Sequence, residues 1–204
     1  MKKITAFVLV AVIIAAAALI PGTAANEKKT EVRMALVFDG DSVKGSAENV
    51  SLFDRVLDAV VASGQSCAFF FDLRVGQSGD SASALMKTFC SNLPWGVYDS
   101  TNGGDMTSVG EMLAFQKYVV KTTSRLVLTG AGALRRYDGS FAAFSSGLVV
   151  PPSFALTGEN LANYAEATVS VTVSAQNANA IVAFFESLAD ENIKIITPTE
   201  TGYR

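Results

Sequence analysis

Apolar and polar positions along this chain follow two rhythms in turn, one predicting buried strands and the other helices with one apolar face. Residues 34–38 are an unbroken apolar run, the right length for a buried strand and too short for a helix. The run ends in an acidic turn, Asp39-Gly40-Asp41. From about residue 48 to 62 the apolar positions recur at helical spacing, and residues 67–71 form a second apolar run ending at Asp72. Residues 33–72 therefore predict one βαβ unit with its polar residues at strand ends, where α/β folds place ligands.

The alternation continues. Residues 76–80 are a polar turn in which Ser78 or Asp80 can cap a helix, and Ala84, Leu85 and Phe89 then fall at helical spacing over residues 81–90. Residues 95–98 read as a third strand. Residues 99–105 (DSTNGGD) are a polar, glycine-rich loop, and residues 106–121 a helix with Met112, Phe115, Tyr118 and Val119 on one face. Residues 125–128 predict a strand, 134–139 a turn, and 148–150 a short strand that residues 154–156 continue. Residues 157–164 predict a loop with a helical turn. Residues 167–174 alternate and are rich in Val and Thr, residues 178–189 form an amphipathic helix, and residues 193–196 close the chain as a strand. Six or seven alternations of strand and helix call for a largely parallel sheet covered by helices. A distorted (β/α) barrel and an open doubly wound parallel sheet both fit this pattern.

The amino terminus has a different character. Lys2 and Lys3 precede an uncharged apolar stretch, residues 4–20, followed by Pro21-Gly22 and the small residues Thr23-Ala24-Ala25. Residues 1–25 read as a secretory signal peptide, with a retained membrane anchor as the alternative. A charged spacer, residues 26–32, leads into one α/β domain spanning residues 33–204, and half of the 204 residues are apolar, enough for a sizeable core. The expected location is the cell envelope or the extracellular space. Loss of the leader removes two lysines and no acid, taking the net charge from −3 to −5. An acidic domain whose densest basic feature is Arg135-Arg136 is a poor partner for nucleic acid.

The chain has no histidine and two cysteines. Absence of histidine excludes Ser-His-Asp and Cys-His catalysis and leaves only carboxylate chemistry for Mg²⁺, Mn²⁺ or Ca²⁺. No cofactor is otherwise expected. Cys67 and Cys90 either pair in an oxidising compartment or stand as small buried thiols. Asp39 and Asp41, at a strand end, can bind a hard cation or serve as acid and base, or can cap the helix that follows. Asp72 ends the neighbouring strand. Asp99 and Asp105 bracket the polar loop and could join such a metal site, or the loop glycines merely permit a turn. Arg135 and Tyr137 are candidate anion or sugar contacts, or solvated turn residues.

The order of these pieces resembles the NodB-type polysaccharide deacetylases of the carbohydrate esterases. Their first motif, of the form TFDDG, is matched by Val37-Phe38-Asp39-Gly40-Asp41, and their "GVKATFF" by residues 64–70. Their R-x-P-Y-G motif is echoed by Arg135 to Phe141, and their closing helix and strand by residues 180–200. The resemblance implies a distorted barrel, Asp39 at the catalytic-base position, and glycan binding at the envelope or outside the cell. It also implies a metal held by an aspartate and two histidines of an H-x3-H motif. Here Gly40 stands at the second acidic position, with Asp41 displaced by one, and the H-x3-H region coincides with residues 99–105. A catalytically inactive pseudoenzyme is the expectation. Residues 39–43 (DGDSV), Gly103-Gly104-Asp105 and residues 128–134 are similar to motifs of NYN/PIN-type nucleases, with both aspartates of the last motif replaced by alanine. Asp39, Asp41 and Thr129 also resemble a haloacid-dehalogenase-like phosphatase. These imply the alternative of a carboxylate-only, metal-dependent hydrolase. An exported interaction domain without a small ligand is the remaining reading.

Overall fold

The computed structural model describes residues 28–45, 50–72, 78–100, 106–123, 126–136 and 147–198, with backbone only at 106–108, 135 and 136. β1 (Thr30–Phe38) is the hub. It begins inside the stretch read as a spacer, because Thr30 to Arg33 pair with β8 (Ile193–Ile196). Residues 35–38 pair with β2 (Ala68–Asp72) along that same edge. β8 and β2 thus stand end to end against one side of β1, while β7 (Thr168–Thr172) runs along the other. Beyond β2 follow β3 (Trp95–Asp99) and β4 (Leu126–Thr129), both parallel. β6 (Gly147–Val150) lies outside β7.

Residues 134–139, read as a turn, contain a strand at their start. β5 (Leu134–Arg136) pairs antiparallel with β4. Three residues are too few to show a period, and the tight reversal that permits the pairing depends on Gly132 at φ +80. Residues 154–156 do not continue β6 and are irregular.

The strand order, β5-β4-β3-β2-β1-β7-β6, separates the two architectures left open by the sequence. Taken as a ring it is sequential, with the chain returning to β1 through β6 and β7. The sheet is a curled half-barrel of the distorted (β/α) type, and the open doubly wound alternative falls away. Its two ends meet at glycine. A Cβ built on Gly147, at the start of β6, would overlap the carbonyl of Gly132 in the β4–β5 turn.

The pleat divides the core into two. Val32, Met34, Leu36 and Phe38 face outward with Phe69, Phe71, Val97, Val169 and Val171. Helices α2 (Leu52–Ser63), α3 (Gly79–Cys90), α4 (Met106–Val120) and α6 (Ala178–Ser187) cover them. Phe38 packs on Phe53 and Phe69 with ring centroids 5.1 and 4.9 Å apart. The inner face carries Ala35, Val37, Ala68, Phe70, Leu128 and Leu134. Short helices α1 (Gly40–Val43) and α5 (Gly158–Ala162) fill the connections after β1 and before β7. Caps set several boundaries. α2 starts at Leu52, later than the apolar spacing suggested, because the Ser51 hydroxyl accepts from the Asp54 amide at 3.0 Å. Ser78 does the same for α3, and Gly64 at φ +65 ends α2.

Candidate functional site

The carboxyl ends of β1, β2, β3 and β4 lie side by side, and each presents a polar residue. Phe38 is in register with Phe71, Asp72 with Tyr98, and Asp99 with Thr129. Asp39 therefore follows β1 at the level of Asp72, as parallel pairing requires. Asp72 and Asp99 are 3% and 1% exposed.

Register alone does not gather these carboxylates. Asp39 and Asp72 continue the inward phase of Ala35, Val37, Ala68 and Phe70, whereas Asp99 continues the outward phase of Val97. The main-chain oxygen of Asp99 accepts from Gly130 N at 2.8 Å, and the Thr129 hydroxyl accepts from Ala133 N at 3.1 Å. Both groups thus help close the β4–β5 turn.

Asp39 is committed to structure. Its Oδ1 accepts from the amides of Asp41 (3.1 Å) and Ser42 (2.8 Å), and its carbonyl accepts from the Ser42 hydroxyl. The acidic turn is the N-cap of α1. Asp41 points to solvent, where Lys44 Nζ donates to it at 2.9 Å. That hydrogen bond and the lysine's charge hold the Asp41 carboxyl below its ordinary range, and full exposure screens the pair.

Arg135 takes the middle of β5, opposite Val127. Tyr137 and Asp105 lie outside the described residues. Among the described residues no three acidic or thiol side chains come together as a metal site. Cys67 and Cys90 are both free, the first buried on the outward face of the sheet and the second exposed at the end of α3. Burial pushes the Cys67 thiol far up from its usual range.

No family profile and no curated protein matches the chain. Solved structures do. The chain aligns with a variant of a CE4-family pseudoenzyme with restored enzymatic activity at a TM-score of 0.59 and 12% identity, covering 86% of this chain and 68% of that one. It aligns with a family 4 carbohydrate esterase from Streptomyces lividans, in complex with acetate, at 0.57 and 9%, covering 84% and 94%. A family 4 carbohydrate esterase from Bacillus anthracis gives 0.52 and 11%, covering 83% and 82%. The fold is that of the NodB-type carbohydrate esterases.

The esterase fold as the motifs imply it holds its metal on an aspartate and two histidines, and the residues present here do not fit that ion. The chain has no histidine, Gly40 stands where an acid is expected, and Asp41 turns to Lys44 in solvent. Several polar features of the fold were not signalled by the sequence. Among the described residues, Gln116 on α4 is fully buried with neither amide end partnered, and the hydroxyls of Thr168 and Ser170 are buried and unpartnered on β7. Gln116 falls beside the apolar face of its helix, whereas Thr168 and Ser170 fall on the polar side of the alternation in residues 167–174, a side the structure nevertheless buries.

Proposed function

We propose that this chain is an exported, catalytically inactive member of the deacetylase-fold proteins that binds glycan at the cell envelope or outside the cell. The observation that carries the reading is the state of Asp39. By the motif resemblance it stands at the catalytic-base position, yet its carboxylate caps α1 through two backbone amides, in a chain without histidine. Those two amide donors engage the carboxylate in holding the turn, which supports a structural rather than a catalytic part for it. The fold has room for such a role, since among its solved structures is one described as a CE4-family pseudoenzyme. Export rests on residues 1–25, and with the leader removed the acidic surface suits a neutral glycan better than a polyanion.

The test is paired. The purified protein is applied to an array of N-acetylated glycans, and acetate release from the same glycans is followed with Mg²⁺, Mn²⁺ or Ca²⁺ added. Binding without acetate release supports the proposal. Metal-dependent acetate release lost in Asp39→Asn would sink the inactive reading, and failure to retain any glycan would leave a protein-interaction domain.

A further inference from the structure

At the amino-terminal end of β1, away from Asp39, a cleft of about 580 Å³ opens between the α2–β2 loop and β8. Its walls come from three parts of the chain: Lys29 and Glu31, Gln65 and Ser66, and Lys194 through Thr197. The polar groups are not interchangeable. Gln65 Oε1 accepts from Ile195 N at 3.0 Å, which fixes the side chain and leaves its Nε2 donors uncommitted. The Ser66 and Thr197 hydroxyls lie 2.6 Å apart, and Thr197 Oγ1 is also 3.3 Å from the Ser66 carbonyl. With either hydroxyl as the donor, the Ser66 oxygen retains at least one lone pair for a ligand. Lys29 spends one proton on the Ala189 carbonyl. Lys194 is 3.7 Å from Glu31, with both side chains more than half exposed. Two ammoniums against one carboxylate leave a single positive charge over the cleft.

We infer that this cleft is a binding site for a small hydroxylated monocarboxylate of the sugar-acid class. One surplus charge matches one carboxylate, with Lys194 and Gln65 Nε2 as its donors. Ser66 Oγ and Glu31 accept from ligand hydroxyls. A phosphate dianion fits poorly, because Glu31 repels its second charge. Gly64 leaves open space where any side chain would stand, which gives the ligand ring its room. The site lies at the far end of β1 from Asp39 and does not rest on the function proposed above.

The test is calorimetric titration of the whole protein with sodium glucuronate, glucose and inorganic phosphate in separate runs. Glucuronate is expected to bind more tightly than either of the others, with affinity falling as salt rises. Lys194→Ala should weaken glucuronate by about fivefold, the scale of an exposed ion pair, while Lys194→Arg retains most of it. Both variants alter an exposed side chain and are checked for an unchanged melting temperature. Glu31→Gln should weaken glucuronate less than Lys194→Ala and improve phosphate. Equal binding of glucose and glucuronate, tighter binding of phosphate, no binding of glucuronate, or an affinity indifferent to Lys194→Ala overturns the assignment.

Discussion

Gly132 and Gly147 meet backbone to backbone, joining the β4–β5 turn to the start of β6 and bringing the two ends of the sheet order together. A Cβ on Gly132 would come within 3.1 Å of the Gly147 carbonyl carbon, and a Cβ on Gly147 would overlap the Gly132 peptide. Neither obstacle is a flexible side-chain tip. Closure of the curled sheet thus depends on two residues without side chains, and only Gly132 also needs a positive φ.

Gly147→Ala is therefore expected to cost about 3 kcal/mol, the upper end of overpacking penalties, because backbone must move to admit the methyl group. Gly132→Ala adds strain of about 1 kcal/mol from its left-handed conformation to a milder contact. Urea denaturation of each variant gives the comparison. A Gly147→Ala protein as stable as the parent would show that the two ends of the sheet do not pack as described.

Asp39 offers a way to separate a cap from a catalytic base. As the N-cap of α1, Asp39→Ala should destabilise the fold by about 1 kcal/mol, while Asp39→Asn, which keeps an accepting oxygen, should cost only a few tenths. Equal losses in the two variants, read from denaturation midpoints, would contradict the cap. A purely catalytic carboxylate would leave stability unchanged in both.

Much of this architecture is legible in the sequence, for a physical reason. Strands buried on both faces must be apolar throughout, so β1 and β2 stand out as runs, and the covering helices show their period. What could not be read depends on long-range geometry. Asp99 looked like a partner for Asp39 because both end strands, but the pleat gives them opposite phases, and that is fixed by pairing register rather than by spacing. The strand in Leu134–Arg136 exists only because Gly132 turns it back on β4. The base cleft joins Gln65 to Ile195 and Ser66 to Thr197, more than a hundred residues apart in the chain. For Asp39 the nature of the turn was open in the sequence, and the amides of Asp41 and Ser42 give it a capping role.

The two thiols should behave oppositely. Burial raises the Cys67 thiol well above its usual pKa, so its thiolate is scarce at neutral pH and the sulfur is shielded as well. Cys90 is exposed. Native protein treated with an aromatic disulfide reagent at pH 8 should release one equivalent of chromophore quickly and the second only on addition of denaturant. Two fast equivalents would mean that the outer core around Cys67 opens readily, and none would mean that the cysteines pair.

Gln116 sits in α4 with no exposed surface and, among the described residues, no partner for either end of its amide. Its immediate helix neighbours Met112, Leu113 and Val120 belong to the outer apolar core. An unsatisfied buried amide costs about 1–3 kcal/mol relative to a satisfied one, whereas an apolar side chain of similar volume meets only apolar contacts there. Gln116→Met is accordingly expected to raise stability by about 1 kcal/mol or leave it unchanged, since Met matches the length of Gln and adapts to irregular space. Gln116→Ala should lose stability through the cavity it leaves, so the pair of variants distinguishes volume from polarity. Denaturant midpoints measured at constant m-value decide the matter. A Gln116→Met protein clearly less stable than the parent would mean that the amide is bonded in solution, and that α4 carries a polar contact through Gln116.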